Sequence, residues 1–221
     1  MQQHVSAEPP RHPLWLLAGF WFCVVIAIAV VLRRLVELIR PSHGSPPQMA
    51  SLDATFSSHA VLTARHIIPA AIFVLLSATV LLRRNGGEWL EWLFFPFGAA
   101  TGATAYAMSY WAVGGWVERS AVLVFNTWFL FSLGRAYWFR LRGEPSRKRE
   151  WMTRAVGILL GIATTRPVMG AFFATSSRTH LGPSQFFGIA FWIGFSINAV
   201  VIELWLHSKR RAQLHQLGAV F

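Results

Sequence analysis

The chain has 221 residues, of which 54% are hydrophobic, 14% aromatic and only 13% charged, against about a quarter charged in soluble domains. These proportions exclude a disordered chain, a collagen and a coiled coil, and a lone cysteine, Cys23, excludes a disulfide scaffold. The net charge of +11, from 20 Lys and Arg against 9 Asp and Glu, suits a lipid bilayer rather than nucleic acid: no nucleic-acid motif occurs, and most basic residues sit at the ends of apolar blocks.

Taken in order, the chain starts with a Pro-containing arm, residues 1–13, expected in the cytoplasm. Six apolar blocks follow, at about 14–36, 59–82, 89–112, 117–139, 151–174 and 185–206, each long enough for a helix to cross ~30 Å of hydrocarbon. The first is too long for a secretory signal core and has no basic leader, so it reads as a retained span. Between the blocks lie short breaks such as PSHGSPP at 41–47, RRNGGE at 83–88, RGEPSRKRE at 142–150 and THLGPS at 179–184. A basic tail, 207–221, closes the chain. No alternating strand pattern appears, and lipid leaves helices as the remaining way to satisfy the backbone. The expected fold is all-α: a polytopic bundle of six transmembrane helices, with no soluble domain.

With six spans both termini share one side. That side collects Arg11, Arg83, Arg84, Arg140, Arg142, Arg147, Lys148, Arg149, Lys209, Arg210 and Arg211, and the other collects Arg33, Arg34, Arg40, Arg119 and Arg178. The bias places both termini in the cytoplasm of a bacterial inner membrane. The discordant feature is LRRLVELIR at 32–40, which can lie in the interface as an amphipathic stretch. Trp15, Trp89, Trp92, Trp138, Trp151 and Trp205 near the inner ends, with Trp111 and Trp116 near the outer ends, read as an aromatic belt.

Ionisable groups inside spans are costly, so each is a functional candidate. Near the inner ends, Arg135, Arg154 and Glu203 fall at similar depth and are expected to form an intramembrane ion pair. The alternative for Glu203 is a proton relay, but guanidinium partners would hold its carboxylate ionised. On the outer side His59 and His66, seven residues apart, share one helix face. Asn126, Arg166 and His180 fall on the same side, and this set is the candidate cofactor site, for haem b or a quinone. The competing structural reading bonds His66 to a carbonyl and leaves His59 and His180 to water. No metal site or catalytic set is expected: H-E-x-x-H, G-x-S-x-G, P-loop and G-x-G-x-x-G motifs are missing, and Asp53 is the only aspartate. Small residues from Gly98 to Ala105 favour close helix packing. Pro69, Pro96 and Pro167 should kink their spans.

Trp128, the run Trp151-Met152-Thr153-Arg154, Thr165-Arg166, Asn198 and Glu203, with His66 ahead of Arg83-Arg84, resemble a family of bacterial membrane proteins, domain of unknown function 2306. The resemblance covers about residues 59–206 and implies a shared helical scaffold. Two departures stand out. The family's His before the Trp-Met pair is Lys148 here, and its His-Arg pair opening the third span is replaced by Gly87-Glu88-Trp89. The resemblance therefore implies a scaffold whose histidine chemistry is missing, which weakens a haem assignment.

The expected function is that of a non-catalytic accessory subunit of a larger membrane complex, its partners being lipid and other membrane subunits. The alternatives are a haem b- or quinone-binding redox protein and a small transporter. Against transport, the two halves share no repeat.

Overall fold

The computed structural model describes residues 13–40, 54–82 and 88–218. The N-terminal arm before Pro13, the 41–53 connection, Arg83 and Arg84, and the last residues of the basic tail lie outside the described residues. Everything regular among those described is helical. The long helices are α1 (Leu14–Ile39), α2 (Ala60–Leu82), α3 (Glu88–Met108), α4 (Gly115–Leu141), α5 (Pro145–Leu159), α6 (Gly161–Thr179) and α7 (Pro183–Gly218). A helical turn over 54–58 leads into α2, and a 3-10 turn, Ser109–Trp111, follows α3.

Four rods are long and apolar enough to cross a membrane: Leu14–Ile39, Ala60–Leu82, the joined α5 and α6 over Pro145–Ser176, and Ser184–Ala212. Helices α3 and α4, with 21 and 27 residues, have the length but are less apolar. Their small and polar residues are spent on helix contacts. Gly98 lets Phe73 of α2 and Leu133 of α4 close in, where a Cβ would meet them at 2.7 and 2.8 Å. Asn126 Nδ2 donates to the Gly102 carbonyl at 2.9 Å, and the Tyr106 and Thr127 hydroxyls lie 2.7 Å apart. Interior membrane helices are held this way because lipid supplies no hydrophobic drive between them.

Local chemistry sets the element ends. Gly143, at φ +68, follows α4, with Glu144 N donating to Phe139 O and Gly143 N to Arg140 O, the paired bonds of a Schellman stop. Pro145 then opens α5, where a missing N–H is no loss. Between α5 and α6, Leu160 interrupts the rod, and Pro167 inside α6 has no N–H to offer the Ala163 carbonyl. The block expected at 151–174 is therefore one broken rod. The basic stretch at 32–40 stays on α1 up to Ile39 and forms the last turns of that helix. At the other extreme, α7 continues through Gly218, so much of the expected tail is helical.

Neighbours pack as α2 with α3, α4 with α5 and α6 with α7, and α7 also covers α4 and α5. Helix α1 lies outermost, against α2 and α6; only 6% of its apolar window is buried, against a third or more in the other three spans. Its two buried residues are Val24 and Ala27. One end of the bundle, the near end, is where the described chain begins and finishes, and there ion pairs join the helices. Glu91 of α3 receives Lys148 at 2.7 and 2.8 Å and Arg140 at 3.3 Å, and Glu150 pairs with Arg154 and Arg210. Lys148 thus works as an ion-pair partner. Halfway along, Cys23, Thr164 and Asn198 form a polar chain: the Thr164 hydroxyl donates to Asn198 Oδ1 at 2.7 Å, and Asn198 Nδ2 donates to the Gly157 carbonyl at 3.2 Å.

Candidate functional site

Because the rod breaks at Leu160, α5 stays packed on α4 while α6 turns to α7 and α1. The space left at the far end is a cavity of about 480 Å³, within the usual size of a ligand pocket. Its walls are apolar, with Val74, Phe129, Ile158, Phe187 and Phe191 among them. Four of the five residues expected to form a cofactor site, His59, His66, Asn126 and Arg166, line it.

His66 comes from α2, and its Nδ1 lies 3.0 Å from Thr104 Oγ1 of α3. The single Thr104 proton goes to the Ala100 carbonyl at 2.7 Å. With that proton so placed, a His66 ring protonated on Nδ1 would donate to Thr104 and keep its lone pair on Nε2. His59, just ahead of α2, has Nδ1 3.0 Å from Ser58 Oγ and 3.3 Å from the Thr55 carbonyl, and its ring lies 4.3 Å from that of Trp111. Asn126 of α4 is buried and uses its amide on Gly102, which leaves Oδ1 as an acceptor.

Arg166 of α6 is one of three arginines that line the cavity. Its only hydrogen-bond partner among the described residues is Met169 Sδ, at 3.8 Å, and sulfur is a weak acceptor. Arg33 and Arg34 of α1 line the same cavity, and their charges, with that of Glu118, act on Arg166. Arg34 also lies over the Phe56 ring at 4.3 Å.

The fifth expected residue stands apart. His180 is exposed, ends α6 in the left-handed region at φ 53, and donates its N–H to Ser176 O. It is a helix stop and does not line the cavity. The chain passes from α6 to α7 there within three residues, 180–182.

Glu118 is the residue that reading the sequence missed. Glu118 of α4 is buried, at 8% exposed. Glu118 lines the cavity and accepts the Gly114 N–H on Oε2 at 2.7 Å. Two glycines cover it. A Cβ on Gly188 would lie 2.6 Å from Glu118 N, and one on Gly114 would lie 2.5 Å from Gly188 N, so α4 and α7 cross backbone to backbone here. The Gly-Gly pair ahead of Glu118 was the available signal. Its partner glycine is some seventy positions away, which sequence spacing does not connect.

At the near end, the three residues expected as one ion pair separate into two arrangements. Arg154 donates from Nη2 to Glu203 Oε2 at 3.1 Å and also pairs through Nε with Glu203 Oε1. Arg135 joins neither carboxylate and instead lies over the Phe139 and Trp151 rings, at 4.8 and 5.5 Å. The flat guanidinium finds ring faces on its own side of the bundle.

For haem b the donor set is one-sided: His59 and His66 come from the same stretch of chain, and among the described residues no other histidine lines the cavity to oppose them. Among the described residues no three His, Cys, Asp or Glu side chains gather as a metal cluster. A quinone-type head, with carbonyl or hydroxyl oxygens at its two ends, suits the set better. Arg166 is the donor, and His66 Nε2, Asn126 Oδ1 and Glu118 are acceptors. Compared with protein families, with curated proteins and with solved structures, the chain matches none.

Proposed function

We propose that this is an integral membrane protein of six crossings that binds a quinone-type lipid in the far-end cavity. The observation that carries the reading is Arg166, a guanidinium lining an apolar cavity with only a thioether to bond. A charge in such a place is costly without a strong acceptor, and Arg166 and Glu118 line the same cavity. A quinone carbonyl would accept from Arg166, the reduced hydroxyl would donate to Glu118 or His66, and the isoprenoid part would lie against the phenylalanines. Six crossings follow if α3 and α4 span as well. Their length supports this, as does a packing in which they lie between spans.

The accessory-subunit expectation rested in large part on missing catalytic motifs and histidines. A cavity that collects Arg166, Glu118, His66 and Asn126 favours binding over it. Titrating the purified protein with a short-chain ubiquinone should quench tryptophan fluorescence saturably. Arg166→Gln should weaken that binding at least about tenfold, the effect of one charge-assisted hydrogen bond. Equal affinity in the variant, or no saturation in the wild type, rejects the reading. Binding of a fatty acid but not a quinone would keep the site and change the ligand class.

A further inference from the structure

A second cavity, about 320 Å³, lies at the near end between the first half of α1 and the faces of α5 and α7. Leu16, Phe20, Val156 and Val201 line it, and it runs inward to Cys23 and Asn198. The Asn198 side chain is already hydrogen-bonded at both atoms, so nothing at the inner end asks for a polar group. Any head must therefore sit at the mouth.

The mouth has the features of a headgroup level. Trp15 and Trp205 flank it, and tryptophan favours that depth. Arg149 lies there too. It uses Nη2 on the Leu81 carbonyl at 2.6 Å, and among the described residues no carboxylate pairs with it. Its neighbours differ: Lys148 is bonded to Glu91 and Arg154 to Glu203. Lys209, over the Trp205 ring at 5.5 Å, adds positive charge on the same side. On α1, Gly19 leaves the channel open, since a Cβ there would meet nothing within 4 Å.

We infer that this groove is a site for an anionic phospholipid of the near-end leaflet, one acyl chain lying along α1 from Leu16 to Cys23 and the phosphate on Arg149. The unpaired guanidinium at the mouth selects an anion, and the satisfied inner end selects a plain hydrocarbon tail. This site is independent of the far-end cavity, because the Cys23–Thr164–Asn198 chain and the buried Val24 and Ala27 stand between them.

The test is native mass spectrometry of the delipidated full chain, given equal phosphatidylglycerol and phosphatidylcholine with the same acyl chains. Wild type should retain phosphatidylglycerol by about tenfold over phosphatidylcholine, the scale of one charge-assisted hydrogen bond. Arg149→Gln should erase the preference and leave both lipids weakly bound. Arg149→Lys, which keeps the charge, should keep most of it and so separates charge from any loss of the Leu81 contact. Gly19→Phe, which fills the channel while improving helix propensity, should remove retention of both lipids without lowering the thermal midpoint. Equal retention of the two lipids by the wild type would overturn the site. So would a Gly19→Phe variant that holds phosphatidylglycerol as wild type does, or an Arg149→Gln variant that keeps the preference.

Discussion

At the scale of single residues, Glu118 has two separable roles. Its Oε2 accepts the Gly114 N–H, which a glutamine oxygen can also do, while its carboxyl group lines the cavity. Glu118→Gln should therefore leave the thermal midpoint in detergent nearly unchanged and weaken binding of a reduced quinone analogue about tenfold. A fall in stability without a change in binding would make Glu118 a purely structural cap. Gly143 is a simpler case. Its φ of +68 is open to glycine and strained for an L side chain, so Gly143→Ala should cost about 1 kcal/mol in thermal unfolding. The glycine stop and the proline at Pro145 were legible in the chain as GEP. The left-handed His180 was not, because histidine has no stop signature and was read instead as a ligand.

At the scale of elements, the cavity depends on how α6 leaves α5. Pro167 deprives the Ala163 carbonyl of its helix partner, and Ala163 lines the cavity. Pro167→Ala should restore that bond and straighten the rod. The thermal midpoint is then expected to hold or rise while affinity for the quinone analogue falls. Binding as tight as in wild type would show that the Leu160 interruption alone opens the space. The crossing of α4 and α7 at Gly114 and Gly188 makes the opposite prediction. A Cβ at Gly188 would run into Glu118 N and the Val117 side chain, so Gly188→Ala should cost about 1–3 kcal/mol and disturb binding too. Both effects are readable in one thermal-shift titration.

For the whole molecule, the two ends differ in kind. The near end is clamped by carboxylates of α3, α5 and α7 shared among basic residues of α4, α5 and α7, while the far end keeps its charges around a cavity. Glu203→Gln leaves Arg154, whose side chain is 8% exposed, with only the longer carboxylate contact, to Glu150 at 3.4 Å, among the described residues, and should lower assembled yield. With Glu203 itself over a third exposed, the loss is discounted to roughly 1–2 kcal/mol. A stable, fully assembled variant would overturn the clamp. The number of crossings has its own check. In a Cys23→Ala background, Tyr110→Cys at the far end should react with a membrane-impermeant thiol reagent applied to intact cells, because six crossings put the α3–α4 connection opposite the termini. Protection there, with labelling only after lysis, would leave four crossings.

Membrane class and helical fold follow from sequence alone, because hydrocarbon leaves the backbone few alternatives and the apolar blocks are long enough to cross it. Depth could be read too, since position along a helix fixes it: His66, Asn126 and Arg166 were placed on one side, and Arg154 at the level of Glu203. What sequence does not carry is which faces meet. A rotation of a few tens of degrees about α4 decides whether Arg135 reaches a carboxylate or a ring, and the turn after α6 decides whether His180 enters a cavity or caps a helix. Glu118 became part of a site only when Gly114 met Gly188 across two helices. Lipid is apolar on every side, so hydrophobic pattern specifies that a helix crosses but not how it is turned. Glycine contacts and hydrogen bonds between distant residues decide that, and they exist only in the folded bundle.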